Sequence, residues 1–274
     1  MNISTISFIV FIFSTLIYFN FPGIGKEEIT LDKSNKYTVN WTRLVLYYSI
    51  VMVSQFIMNS IYLTNKCSGD VGENIWYAFY ITLGPWTFIF ALLLIVLNSF
   101  PDIKSAFSDV FGYFYISKSA NEIFSKLLVG DKEINNNIND LNISTHKKDD
   151  LIRTSDAIIK IMGNKSVFIN QMTTTNFLNM WEIFEPLMKT NIDNKEDLKT
   201  KLFELVRTKD NIGEMMWYIY TGILVISIVS YKLTIKECSP NLKMLKENEA
   251  KYQKEKEEIQ KQKKLNDKNT VTLA

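Results

Sequence analysis

The chain of 274 residues contains very little of the side-chain chemistry that most enzymes use. It has two cysteines and one histidine, so a zinc site made of cysteine and histidine alone is nearly excluded. A cysteine–histidine nucleophilic pair is limited to His146 with Cys67 or Cys238. The sequence has no phosphate-binding loop, zinc motif or serine elbow. These absences argue against an enzyme, and we expect neither a metal nor a cofactor.

The sequence also lacks an excess of charge of one sign. Its 31 lysines and arginines face 29 acidic residues, and the net charge is +2. No overall electrostatic field therefore favours nucleic acid, and we expect no nucleic-acid partner. Apolar residues, in contrast, make up 47% of the chain and are concentrated in long runs. This pattern predicts a protein with a membrane part and a water-soluble part.

Four apolar runs reach, with their flanks, the roughly 20 residues that a helix needs to cross a bilayer. They cover residues 6–22, 44–63, 75–98 and 214–233. The first run could be a secretory signal peptide, but no basic residue precedes it and residues 21–23 form a poor cleavage site, so we favour a retained span. Gly84-Pro85 predicts a kink in the third span. Glu214 is interpreted as a helix-start carboxylate that the helix dipole favours.

The remaining sequence predicts further helices and no convincing strand. Apolar residues recur at helical spacing in residues 119–128, 149–162, 175–184 and 194–206. We therefore divide the chain into a membrane region (1–99), a hinge (100–116), a helical soluble lobe (117–213), a fourth span (214–233) and a charged tail (234–274). The predicted fold class is all-α: a multispanning membrane protein of about four spans with a small helical lobe and a charged C-terminal helix.

The charged tail has a weak seven-residue repeat. From Asn241 onward, nine lysines oppose six acidic residues, while Leu245, Tyr252 and Ile259 recur every seven positions. A coiled coil needs two apolar positions per heptad, so this pattern favours a solvated helix over a coiled coil. A lysine-rich helix beside a membrane could also bind anionic headgroups or a capsid.

Gln55 and Asn59 are polar residues inside the second span. They are four positions apart, so they share one helix face. Polar side chains within spans usually form hydrogen bonds to neighbouring helices, and we predict such an interhelical contact here. The alternative is that both residues line the cavity of a channel or transporter, together with Gly84-Pro85.

Two features of the sequence bear on membrane orientation. The second and fourth spans run in the same direction, so Cys67 and Cys238 lie on one face and either form a disulfide, if that face is oxidising, or remain two free thiols. Short loops rich in lysine and arginine usually stay in the cytoplasm. The first loop, with Lys26, Lys33, Lys36 and Arg43, therefore predicts a cytoplasmic lobe, but the lysine-rich tail predicts the opposite orientation.

The hinge combines a helix-ending proline with aromatic residues around one glycine. Pro101 ends the third span because it cannot donate a backbone hydrogen bond. The aromatic residues that follow are typical of the headgroup layer. Phe100-Pro101 and the stretch Ala106–Tyr113 resemble the FPGW-x-x-PFSN-x-FGY element that follows a transmembrane helix in membrane proteins of large icosahedral DNA viruses. This chain differs from the element at Asp102-Ile103, Ala106 and Asp109.

The resemblance implies a structural protein of the virion, of the membrane or minor capsid type. Its implied interaction residues are Pro101, Phe107, Ser108, Phe111, Gly112 and Tyr113. The implied partners are the lipid bilayer and capsid or other virion proteins, contacted by the lobe and the tail, and a homo-oligomer is compatible with the sequence. The implied location is the internal virion membrane, and host endomembranes during assembly. The alternative function is a small viral channel or transporter, or a protein that modulates host membranes.

Overall fold

The computed structural model describes residues 3–21, 30–31, 40–67, 70–128, 165–184, 188–189, 192–238 and 242–271. These residues form an all-α structure, as predicted, and an isolated antiparallel bridge between Leu128 and Met188 is their only β pairing. The helices are α1 (Ile3–Asn20), α2 (Trp41–Lys66), α3 (Val71–Pro85), α4 (Leu92–Ser99), α5 (Ser105–Phe107), α6 (Tyr113–Leu127), α7 (Lys165–Gln171), α8 (Phe177–Phe184), α9 (Lys195–Ile235) and α10 (Leu242–Val271).

Among the described residues, three helical stretches are long and apolar enough to cross a membrane. They are Trp41–Lys66, Val71–Ser99 and Lys195–Ile235, and they contain the second, third and fourth predicted spans. α1 is a shorter apolar helix of 18 residues, about 27 Å long, whose crossing of the bilayer stays a prediction. These helices indicate that the protein associates with a membrane.

The third span contains a π-helical turn immediately after its proline. Proline lacks an N–H group and its ring crowds the carbonyl four residues earlier, so a regular α-helix cannot pass through it undisturbed. Here α3 ends at Pro85, residues Trp86–Ala91 form the π-helical turn, and α4 continues the same stretch. The helix is therefore irregular just after the proline, and the kink that we predict at Gly84-Pro85 stays a prediction.

The membrane part has a core of aromatic side chains. Phe11 of α1 is fully buried, with its ring 5.5 Å from Trp86 and 5.6 Å from Phe90. On α9, a Cβ atom at Gly222 would overlap the Phe11 ring, so the glycine is what permits this close approach. α1 is thus an integral part of the helix bundle.

The lobe packs around the N-terminal half of α9. Its core contains buried apolar residues of α6, α7, α8 and α9, which include Ile116, Phe124, Ile169, Phe177, Trp181, Leu202, Phe203 and Val206. The predicted helices 119–128 and 175–184 correspond to α6 and α8, while 149–162 lies outside the described residues. α7 was not predicted.

α9 is one continuous helix of 41 residues that belongs to both parts. We predicted a lobe helix at 194–206 and a separate span from residue 214, but the helix runs through that boundary. Gly213 lies inside this helix, and it is buried against the hinge. The interpretation of Glu214 as a helix-start carboxylate is wrong, since α9 begins 19 residues earlier, at Lys195.

α10 follows the C-terminal end of α9, and its described side chains are exposed. Its predicted contact with headgroups or a capsid stays a prediction.

Candidate interaction site at the hinge

The hinge runs alongside α9 in the opposite direction. Its first part is a 3₁₀ turn (Pro101–Lys104), followed by α5 and a π-helical turn (Ser108–Gly112) that leads into α6. Trp217 donates a hydrogen bond from Nε1 to the carbonyl of Ile103, over 3.1 Å. This antiparallel arrangement places successive hinge residues beside successively earlier turns of α9.

Two glycines allow the hinge and α9 to approach closely. A Cβ atom at Gly112 would lie 2.5 Å from the carbonyl oxygen of Lys209, and one at Gly213 would lie 2.6 Å from Cβ of Ser108. Real side chains do not tolerate such distances, so each helix presents a glycine to the other. Ser108 and Gly112, two of the predicted interaction residues, are therefore buried packing residues.

The first of two ion pairs, each with one buried partner, connects the hinge to α9 at the edge of the fourth span. Lys104 Nζ lies 2.6 Å from Glu214 Oε2, and the side chains are 12% and 2% exposed. Tyr218 donates a hydrogen bond from its hydroxyl to Glu214 Oε1, over 2.9 Å. Both oxygens of the buried carboxylate therefore have partners, which a charge removed from water requires.

The second ion pair connects three elements. Lys209 Nζ lies 3.0 Å from Asp109 Oδ1, and its side chain is fully buried. The same ammonium group donates to the carbonyl of Asn170 over 3.3 Å, and Asn170 Nδ2 donates to the carbonyl of Asp109 over 3.2 Å. These bonds join α7, the hinge and α9 into one polar network.

Asp210 extends this network to the turn that follows α7. The backbone N–H of Thr174 donates to Asp210 Oδ2 over 2.8 Å. Asp210 lies one turn before the apolar part of α9. Burial raises the pKa of its carboxyl group, while the positive charge of Lys209 and the hydrogen bond from Thr174 act to lower it. A polar cavity of about 210 Å³ adjoins Asp210, between the hinge and residues 170–176, and Pro101 lines its edge.

Aromatic rings form a continuous strip from the outer surface of the fourth span to the hinge. The Phe107 ring lies 4.8 Å from Trp217, 6.3 Å from Tyr220 and 5.9 Å from Phe111. Tyr220 is 63% exposed and lies within the apolar half of α9, so its side faces lipid if that half spans the bilayer. Tyr113, in contrast, packs against the lobe core.

Beyond this strip, four large side chains project away from α9, and we call them the hinge face. They are Val110 (61% exposed), Phe111 (48%), Phe114 (85%) and Tyr115 (73%). Gly112 lies beside Lys209, which is six residues, or about 9 Å, before the apolar run that starts at Met215. Each headgroup layer is roughly 5–7 Å thick. If the apolar run of α9 lies in the hydrocarbon, the hinge face would lie at the outer edge of the headgroups, within reach of lipid or of a protein at the membrane surface.

The other predicted site residues lie in the membrane part. Gln55 Nε2 donates to the carbonyl of Ser7 over 2.9 Å, and Asn59 Nδ2 donates to Thr82 Oγ1 over 2.9 Å. Both side chains are buried, so they make the interhelical contacts that we predict. Cys67 and Cys238 form a disulfide bond, with their Cα atoms 5.2 Å apart. His146, the third residue considered for a nucleophilic pair, lies outside the described residues.

Sequence reasoning missed the charged contacts of the site, made by the buried Lys209 and Asp210 and the partly buried Lys104 and Asp109. Part of their signal was present, because Asp210 and Glu214 are four positions apart and so share one face of a helix that continues into an apolar run. Within the described parts of the chain, no group of three or more histidine, cysteine or acidic residues is arranged to hold a metal ion.

The chain matches no protein-family model, and no curated protein or solved structure is significantly similar to it.

Proposed function

We propose that this protein is a structural membrane protein that connects a bilayer to a protein layer on its surface. In the setting implied by the viral resemblance, the bilayer is the internal virion membrane and the protein layer is the capsid shell. The observation that carries the proposal is the rigid junction of lobe and membrane bundle, with the exposed hinge face beside it.

The junction has the properties of a fixed anchor. α9 passes without interruption from the lobe into the membrane part. The Lys104–Glu214 and Lys209–Asp109 pairs attach the hinge to it at two levels, with glycines packed between them. Rotating the lobe against the bundle would separate buried charges, which is costly. A force applied to the lobe would therefore be passed directly to the membrane helices.

The hinge face supplies the surface for a partner. Val110 and Phe111 lie closest to the headgroups, while Phe114 and Tyr115 lie farther from the bilayer and are the most exposed of the four. Contiguous exposed apolar side chains on a water-facing surface commonly mark an interaction site. We assign the lipid contact to the first two residues and the contact with the protein layer to the last two.

The lobe alone is assigned to the protein layer. The sequence suggested that lobe and tail both contact a capsid, but a single crossing of the bilayer by α9 would put the two on opposite faces. A single shell can meet one face only.

Purified particles of the source virus provide the test. We expect the chain at a fixed ratio to the major capsid protein, and chemical cross-links between the lobe and capsid proteins. The double substitution Phe114→Ser with Tyr115→Ser should abolish the cross-links while the protein still inserts into membranes. The control is Tyr252→Ser, which changes an aromatic residue of α10 that is also exposed, at 63%. Absence of the chain from purified particles would contradict the proposal.

The alternative, a channel or transporter, depends on Gln55 and Asn59 facing a cavity. Their side-chain amides instead bind α1 and α3, so no observation favours transport over anchoring. The channel alternative would be favoured if the reconstituted protein conducted ions across a bilayer and the Gln55→Leu variant did not.

A further inference from the structure

We infer that the bundle is oriented with its lobe in a reducing compartment and its disulfide in an oxidising one. The disulfide face, as used here, is the membrane face where α2 and α9 end, with Lys66, Cys67, Lys236 and Cys238. The inference depends on the membrane assignment and not on the virion role, so either can fail without the other.

The disulfide itself is the first observation. Cys67 follows the last residue of α2, Cys238 follows α9 by three residues, and the two are bonded. Disulfides form and persist in oxidising compartments and are rare in the cytosol. The chain has no other cysteine, so the lobe and the first loop contain none. This distribution is the one expected when only the disulfide face meets an oxidising environment.

The cysteines are held in place by an ordered polar cap. Lys66 Nζ donates to the carbonyls of Leu233, Thr234 and Lys236, at 3.1, 2.6 and 2.9 Å. Carbonyls at a helix end have no partner within the helix, and here a lysine of the neighbouring helix satisfies them. Asn74 Nδ2 also donates to the carbonyl of Cys67 over 3.1 Å. The pairing of the two cysteines is therefore part of a defined helix-to-helix contact.

The disulfide decides between two conflicting charge signals. By the rule that lysine- and arginine-rich segments stay in the cytosol, the basic first loop predicts that it and the lobe are cytosolic. By the same rule, the lysine-rich tail predicts a cytosolic disulfide face. Acidic residues do not separate the two signals, because both segments contain them: Glu27, Glu28 and Asp32 in the first loop and six in the tail from residue 241 onward. A cytosolic tail would put the only disulfide in a reducing environment. The orientation with a cytosolic lobe satisfies both the first-loop charges and the disulfide.

This orientation assigns a class of partner to each face. The lobe and the hinge face meet proteins of the cytosolic side, which are made without disulfides. α10 and its lysines meet the lumenal or extracellular side.

Native glycosylation sequons make the orientation measurable in the full-length chain. Asn40 precedes the second span, and Asn142 and Asn164 fall in the sequence between the third and fourth spans; each begins an Asn-x-Ser/Thr sequon. The chain would be translated into sealed microsomes as the Asn2→Gln variant, which removes the sequon that would lie on the disulfide side if α1 crosses the bilayer. We expect no glycan on this variant. Adding Lys268→Thr, which creates a sequon at Asn266, should add one glycan that endoglycosidase removes. A glycan on the first variant, or none on the second, overturns the inference.

A thiol assay tests the same orientation without new sequons. In the Cys67→Ser variant Cys238 is a free thiol, and a membrane-impermeant maleimide should label it only after the vesicles are permeabilised. The wild type should become labelled only after both permeabilisation and reduction. Labelling of Cys238 in sealed vesicles, or of the unreduced wild type, overturns the inference.

Discussion

At the scale of single residues, glycines and buried charges determine how the lobe meets the membrane part. Gly112 and Gly213 lie where hinge and helix backbones are nearly in contact, and both ion pairs lie beside them. In a tightly packed interface, an extra methyl group or an unpaired charge lowers the free energy of unfolding.

Gly112→Ala should destabilise the folded protein by about 1–3 kcal/mol, because the new Cβ would collide with the Lys209 carbonyl. Thermal unfolding in detergent measures the effect. Gly84→Ala is the matched control, since a Cβ there meets nothing within 4 Å and should be neutral or slightly stabilising. Equal unfolding temperatures for the two variants would show that the hinge does not pack closely on α9.

Lys104→Met should destabilise by about 3–5 kcal/mol, because it leaves the Glu214 carboxylate buried without its cation. Adding Glu214→Leu should restore much of the loss, since the double variant has no buried charge at this position. Denaturation of both variants and of the wild type in detergent gives the comparison.

The exposed pair Lys201–Asp197 provides the control for this experiment. Its side chains are 58% and 54% exposed, so Lys201→Ala should cost less than about 1 kcal/mol. A loss in Lys104→Met no larger than in Lys201→Ala would mean that the Lys104–Glu214 pair is not buried in solution.

At the scale of elements, the register between the hinge and α9 depends on α9 being continuous. One alanine inserted after Ile212 should rotate the two halves of α9 by about 100° relative to each other. Lys209 and Glu214 could then no longer both face the hinge, so we expect poor folding, measured as loss of monodisperse protein in detergent. The same insertion after Gln253 of α10 is the control, because the described side chains around it are exposed. Normal folding of the Ile212 insertion would contradict a continuous helix.

The disulfide acts at the same scale by joining α2 to α9. Cys67→Ser should lower the free energy of unfolding by about 2–5 kcal/mol, because the bond closes a long loop between residues 171 positions apart. Reducing agent should lower the unfolding temperature of the wild type and leave that of the variant unchanged. If reducing agent left the unfolding temperature of the wild type unchanged, and that temperature equalled the variant's, the bond would not form in the protein.

At the scale of the whole molecule, the bundle should behave as an integral membrane protein. Three helices are long and apolar enough to span a bilayer, and their outer surfaces expose large apolar side chains such as Phe88, at 78%. The protein should therefore remain in the membrane pellet after extraction at high pH and dissolve only with detergent. A peripheral membrane protein in the same sample serves as the control, and release of the chain with it would exclude a membrane-spanning bundle.

The sequence predicted the parts of this fold that depend on local pattern. Apolar runs of sufficient length located the second, third and fourth spans, and the spacing of Gln55 and Asn59 predicted their contact with other helices. It failed where tertiary contacts change the meaning of a residue. Glu214 looked like the start of a new helix, because the helix dipole favours a carboxylate at that position.

What the amino-acid sequence determined by itself is the helical class, the apolar spans and the position of both cysteines on one face, because these follow from periodicity, length and chain direction. What the tertiary structure decided is the single α9 helix, the buried pairs of Lys104 and Lys209, and the bonding of Cys67 to Cys238. Each of these needs two segments that are distant in sequence to meet, and no local pattern specifies which segments do so.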